Sequence, residues 1–177
     1  HNMETILFTK KDGIATITWN VPEKAMNVMS SQGLAELDAH IDTVLGDDNI
    51  KGAVITSAKP DFAGGMDLKE LGAARVSARD NPAQAIFDNV MHGHRILRKI
   101  ERGGMDPKTL KGGKPIAAAL PGTAAGIGIE VALACHRVFA SDRPGPQFGL
   151  PEILVGIFPG GGGTVRMLHK VGMVNAM

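Results

Sequence analysis

The sequence has no tyrosine, a single tryptophan, a single cysteine and only 4% aromatic residues. A lone Cys135 cannot close a disulfide within the chain, which excludes the disulfide-framework class of small secreted domains; a reducing cytoplasm is the default expectation. Charge of either sign is also scarce in excess: 19 Lys and Arg stand against 18 Asp and Glu, a net charge of +1. That balance offers no field strong enough to hold nucleic acid or an anionic membrane. No arginine-rich or signal-like leader precedes the first strand, and His1-Asn2 ahead of Met3 reads as a cloning remnant.

Several catalytic and cofactor motifs are missing as well. There is no G-x-S-x-G elbow and no serine with a credible histidine partner, which argues against a serine hydrolase. Gly126-Ile127-Gly128 is followed by Val131 where a dinucleotide fingerprint needs Gly or Ala. Gly160 to Thr164 lacks the Gly-Lys-Ser/Thr of a phosphate loop. Ile116 to Cys135 is nearly uncharged and about as long as a membrane span. Pro121-Gly122 breaks it and Glu130 lies inside it, so a soluble strand, turn and helix are expected and no membrane insertion.

What the chain does contain suits one domain: 177 residues, 44% hydrophobic, with residues 3–177 as a single unit. Its 23 glycines are scattered rather than periodic, which suggests tight turns and backbone close to a ligand. Thr5 to Asn20 alternates around Asp12-Gly13 and predicts a hairpin. Ser30 or Ser31 can cap a helix with Leu34, Leu37, Ile41, Val44 and Leu45 on one face, ending near Gly46. Ala53 to Ala58 reads as a buried strand, followed by a loop with Gly64-Gly65 that leads into a helical turn. Pro82 to Arg102 is an amphipathic helix with Ile86, Val90, Leu97 and Ile100 inward. Gly103 to Gly113 is a loop, Ile116 to Leu120 a strand, Gly126 to His136 a helix start and helix, and Arg137 to Ser141 a strand. Strand and helix alternate, which predicts an α/β layered fold; no internal repeat, linker or second domain is visible.

Two glutamates stand out. Glu130 and Glu152 sit in apolar, glycine-rich surroundings where a carboxylate is costly without a task. Glu130 falls in the first turn of a helix; Glu152 follows Pro151. Strand-to-helix turns at Ala63-Gly64-Gly65 and Gly126-Ile127-Gly128 can each aim a backbone N–H at a common point. Two such donors with two carboxylates suit proton transfer beside an activated carbonyl.

At these residues the chain resembles the enoyl-CoA hydratase (crotonase) family over nearly its whole length. The carrying motifs are DFAGGMDLKEL (Asp61 to Leu71), GTAAGIGIEVALAC (Gly122 to Cys135) and FGLPEILVGIFPGGGGT (Phe148 to Thr164). With GGMDPKTLKGGKPIAAALPGT they look most like the hydratase part at the N-terminus of bifunctional bacterial fatty-acid oxidation proteins. The resemblance implies a ClpP/crotonase spiral of repeated ββα units, lacking the family's C-terminal helices and any dehydrogenase domain. It implies hydration of a trans-2-enoyl-CoA to the (3S)-3-hydroxyacyl-CoA, with Glu130 activating water and Glu152 protonating the α carbon. The oxyanion hole would be the N–H groups of Gly64 and Ile127, and Ala63, Gly64, Asp67, Gly126 and Ile127 would bind substrate. No cofactor is implied for hydration, NAD entering only with a dehydrogenase domain in a parent chain. Implied partners are the acyl-CoA, further copies in a trimer or hexamer, and a thiolase subunit. The family usually has glycine where Ile127 stands, so this turn is stiffer and the acyl pocket narrower.

Other assignments remain beside this one. A Δ3,Δ2-enoyl-CoA isomerase of the same family needs no activated water, and a non-catalytic oligomerisation fragment needs neither glutamate. Asp67 is a helix cap or a ligand contact, capping being the simpler role. His92 and His94 point to different helix faces, so no metal site is expected. His136 and His169 close helices, where a cation suits the dipole. Met26, Met29 and Met66 fill core or line an acyl channel, and Cys135 is a small core residue.

Overall fold

The computed structural model describes residues 3–77 and 81–150. In chain order these form strands β1 (Ile6–Lys11) and β2 (Ile14–Trp19), helix α1 (Ser31–Gly46), strand β3 (Gly52–Ser57), and helices α2 (Leu68–Ser77) and α3 (Pro82–Arg102). Strands β4 (Ile116–Leu120) and β5 (Ala124–Ala125), helix α4 (Ile127–Ala134), and strands β6 (Arg137–Ala140) and β7 (Phe148–Gly149) follow.

The hairpin forms where the alternation places it, with Ile6 opposite Trp19 and Lys11 opposite Ile14 across a two-residue turn. Ala15, Ile17 and Trp19 fill one face of β2, at 2% exposure or less. The sheet continues in the order β1-β2-β3-β4-β6, and every pair after the hairpin is parallel. Parallel neighbours require crossovers, and α1 supplies the first. Ser30 Oγ accepts from Gly33 N–H at 3.0 Å to cap α1, whose Leu34, Leu37, Ile41 and Val44 are buried. Burying each such side chain is worth about 1.5–3 kcal/mol.

A second, shorter parallel layer runs beside the main sheet. Met29 bridges Met66, Ala63 bridges Ala124, and β5 pairs with β7. Each pass of the chain thus lays one strand in the main sheet and then a short run in the second layer: β2 then residues 27–29, β3 then 62–66, β4 then β5, β6 then β7. The expected α/β architecture and its ββα spiral are both present, although no residue pattern repeats along the chain.

Two local expectations change. Leu97 and Ile100 of α3 are buried, but Val90 is 39% exposed and Phe87 and Met91 are exposed beside it, so among the described side chains this helix meets the core through its C-terminal half. The side chain of Ile86 lies outside the described residues, as does His169. His136 is not a helix-end cation. Its Nδ1 accepts the Ile116 N–H at 2.9 Å, so that nitrogen carries no proton, and Nε2 lies 2.9 Å from Glu101 O as the donor. The neutral ring ties the start of β4 to the end of α3. Among the described residues no helix is long and apolar enough to cross a membrane.

Candidate active site

The second layer ends on one side of the molecule, and there its backbone leaves hydrogen-bond donors open. Residues 62–66 lie between two neighbours. On one side Phe62 and Ala63 donate to Thr123 O, at 2.8 and 3.2 Å, and Ala63 O accepts from Ala125 N–H at 3.0 Å. On the other, Met29 N–H donates to Gly65 O and Asp67 N–H to Met29 O, both at 2.8 Å. In that parallel bridge the residue between, Met66, turns its own N–H away from Met29 and toward the Ala124–Ile127 side. No acceptor meets it among the described residues. The switch of sides occurs at Gly65, whose φ of +113° is a backbone state that L side chains rarely adopt.

Gly64 is therefore not the donor expected from the sequence. Its N–H donates to Asn27 O at 2.8 Å and is closed to a ligand. The open donor stands two residues on, because the glycine that turns the strand is Gly65 and not Gly64. Ala63 is fully buried with both its backbone groups paired, so it supports the site and presents nothing to a substrate.

Across from Met66, Ile127 opens α4. Its N–H lies in the first turn, where no intrahelical acceptor exists, and Gly126 supplies no side-chain cap. Among the described residues this N–H donates to nothing. Gly126 turns the chain into the helix at φ 54°, ψ −129°, a glycine conformation, and spends its own N–H on Gly149 O at 3.1 Å. The Ala63–Ala124 bridge lays the two runs side by side, and a Cβ on Gly65 would lie 3.9 Å from Ala125 O, so Met66 follows on the side from which α4 starts. The two runs touch closely: a Cβ on Gly128 would meet Ala63 Cβ at 2.8 Å. An open N–H on each of two adjacent runs, that of Ile127 at a helix N-terminus, offers positive dipoles to an oxygen with developing negative charge.

Glu130 belongs to the same turn. It is three residues beyond Ile127, hence on the same helix face, and 2% exposed in a helix whose eight residues are all buried. The other expected glutamate, Glu152, lies outside the described residues, with the Gly160 to Thr164 segment.

Asp67 acts as a cap. Its Oδ1 accepts from Lys69 N–H at 3.0 Å and Glu70 N–H at 3.3 Å, fastening the first turn of α2, and its Oδ2 pairs with Lys24 at 2.9 Å. The hydrogen bond from Lys24, with those backbone donors, holds the Asp67 carboxyl below the usual carboxylate range against its partial burial. Glu70 takes the Ser31 N–H at 2.9 Å and the Ser31 hydroxyl, joining α2 to α1. Met29 is fully buried core, while Met66 packs against the core only in part.

Besides the donor role of Met66, sequence reasoning missed Asn27. It is fully buried; its Oδ1 accepts from Val21 N–H at 2.9 Å, and its Nδ2 faces Trp19 O at 3.2 Å, Ser57 Oγ at 2.9 Å and Phe62 O at 2.9 Å. Its only sequence signal is a polar residue between Met26 and Val28, which fits an exposed turn equally well.

Comparisons with known proteins bear on the family and the fold. A family model described as enoyl-CoA hydratase/isomerase matches residues 9–177. A fatty acid oxidation complex subunit alpha from Shewanella amazonensis is 35% identical over 172 residues, which is 97% of this chain and 22% of that protein. The chain thus spans about a fifth of the length of the curated relatives it matches. Among solved structures, an enoyl-CoA hydratase from Geobacillus kaustophilus superposes with a TM-score of 0.79 at 29% identity, covering 99% of this chain and 60% of that one. Pseudomonas aeruginosa DspI superposes with a TM-score of 0.80 at 26% identity, over 99% and 60%.

Proposed function

Since this chain belongs to the enoyl-CoA hydratase/isomerase family, we propose that it hydrates a trans-2-enoyl-CoA to the (3S)-3-hydroxyacyl-CoA in fatty-acid β-oxidation. The observation that carries the proposal is the helix turn of Ile127 to Glu130, which sets an open N–H and a buried carboxylate on one face. The thioester oxygen takes hydrogen bonds from the N–H groups of Met66 and Ile127, which draws electrons from the double bond and leaves the β carbon electrophilic. Glu130 orients a water and removes a proton as the water oxygen bonds to the β carbon. The resulting enolate is stabilised at its oxygen, and a carboxylic acid returns a proton to the α carbon. Glu152 is our candidate for that acid. The balance is one water added and no cofactor used.

The same family membership suggests partners. A homo-oligomer of three or six copies, a thiolase subunit and, in a parent chain with a dehydrogenase domain, NAD are all compatible with relatives named as subunits of a fatty acid oxidation complex. A single buried cysteine is suited to a reducing cytoplasm.

The test is to supply a 2-enoyl-CoA and follow the loss of the conjugated enoyl absorbance. Glu130→Gln should lower kcat by about 10²–10⁴, the usual weight of a positioned base. Full activity in that variant would refute the role given to Glu130. Turnover of a 3-enoyl-CoA without hydration would point to the isomerase.

A further inference from the structure

We propose that Asn27 is the positioning residue of the oxyanion site, fixing through side chain and main chain together the direction in which the Met66 N–H points. The proposal rests on the assignment of Met66 and Ile127 as the donors to the thioester oxygen. Asn27 holds the strand before Met66 at two points: Nδ2 donates to Phe62 O at 2.9 Å, and Asn27 O accepts the Gly64 N–H at 2.8 Å. The second bond closes Gly64 as a donor, so Gly65 makes its turn and Met66 faces outward.

Asn27 is itself anchored to the main sheet. Oδ1 takes the Val21 N–H, and Nδ2 reaches Trp19 O at the end of β2 and Ser57 Oγ at the end of β3. The Ser57 hydroxyl donates its proton to Asp61 O at 2.7 Å, so it can only accept from Asn27. The site therefore demands one acceptor and a two-proton donor on a short, fully buried side chain, which only asparagine supplies at this length. An aspartate would turn a carboxylate oxygen on Trp19 O and Phe62 O, both acceptors. Gly64 is packed against the same segment, since a Cβ there would meet Met26 Sδ at 2.7 Å. Residues 62–66 thus have little room to shift except by releasing these bonds.

The experiment uses Asn27→Asp and Ser57→Ala in the intact protein. Two readouts are taken: the hydration kinetics, and the absorption shift of a conjugated enoyl-CoA thioester on binding. The absorption moves to longer wavelength when the carbonyl oxygen is polarised by hydrogen bonds. Displacing a donor by about 1 Å costs roughly 100-fold in rate. Asn27→Asp is expected to lose most of the shift and about that factor in kcat, with KM changed much less. Ser57→Ala, which removes one of three acceptors, should show a smaller loss of both. If Asn27→Asp folds and keeps the wild-type shift and kcat, the proposal is overturned. If Asn27→Asp does not fold, Ser57→Ala decides, and an unchanged shift there overturns it. A wild-type protein that shows no shift at all would remove the oxyanion assignment beneath the proposal instead.

Discussion

Gly128→Ala drives a wedge between the 62–66 run and the start of α4, the two segments that carry the donors. The added Cβ would lie 2.8 Å from Ala63 Cβ and 3.3 Å from Ala63 O, whereas carbon atoms in contact prefer roughly 3.5–4.0 Å. Ala63 cannot yield by changing rotamer. It is fully buried, and its N–H and C=O are both paired with the Thr123–Ala125 segment. The two runs must separate by roughly 0.7 Å or more, with an overpacking cost of about 1–3 kcal/mol. Since Met66 follows Ala63 and Ile127 precedes Gly128, the separation falls on the two N–H groups that share the oxygen. A shift of that size predicts a kcat lower by about 10- to 100-fold, measured as loss of enoyl absorbance at a temperature where the variant is folded by circular dichroism. The double variant Ala63→Gly/Gly128→Ala removes the struck atom and should recover most of the rate, despite about 0.5–1 kcal/mol of backbone entropy. Gly93→Ala in α3, where an added Cβ meets nothing within 4 Å, is the control and should leave kcat unchanged. Wild-type activity and stability in Gly128→Ala, or no recovery in the double variant, would refute the reasoning.

Two further outcomes are expected. Asp67 has a folded pKa below its unfolded value of about 4, so its contribution to holding α2 is complete above that value and disappears as pH falls through the lower folded one. Asp67→Asn should therefore flatten the acid limb of a stability-against-pH curve below about pH 4 and leave the shape of the neutral region unchanged, as chemical denaturation would show. His136→Ala strands the Ile116 N–H at the buried start of β4, at about 1–3 kcal/mol for an unsatisfied buried group, and removes the tie to α3. A melting temperature equal to wild type would contradict the bridging role.

Much of this was legible from residue order because local chemistry decides it. The Asp12-Gly13 turn, the Ser30 cap and the 3.6-residue spacing of Leu34 to Val44 each determine their own element. The pairing of Glu130 with an open helix start was also readable, since both lie within four residues of one turn. What was not legible is which of two adjacent glycines carries the positive φ. Gly64 and Gly65 look alike in sequence, and the choice is made by Asn27 from 37 positions earlier, through a bond between main chains. The topological repeat was hidden for a related reason: the second layer is held by backbone bridges that place few demands on side chains. Val90 misled because helical spacing records amphipathicity, while its burial depends on whether a partner reaches that far along α3.

The central claim, that the N–H groups of Met66 and Ile127 together receive the thioester oxygen beside Glu130, is tested most directly by a crystal structure of the intact protein with a bound acyl-CoA. The account predicts that oxygen at about 2.7–3.1 Å from both nitrogens, with the Gly64 N–H still on Asn27. An oxygen seated on the Gly64 nitrogen, or beyond hydrogen-bond reach of either Met66 or Ile127, would contradict it.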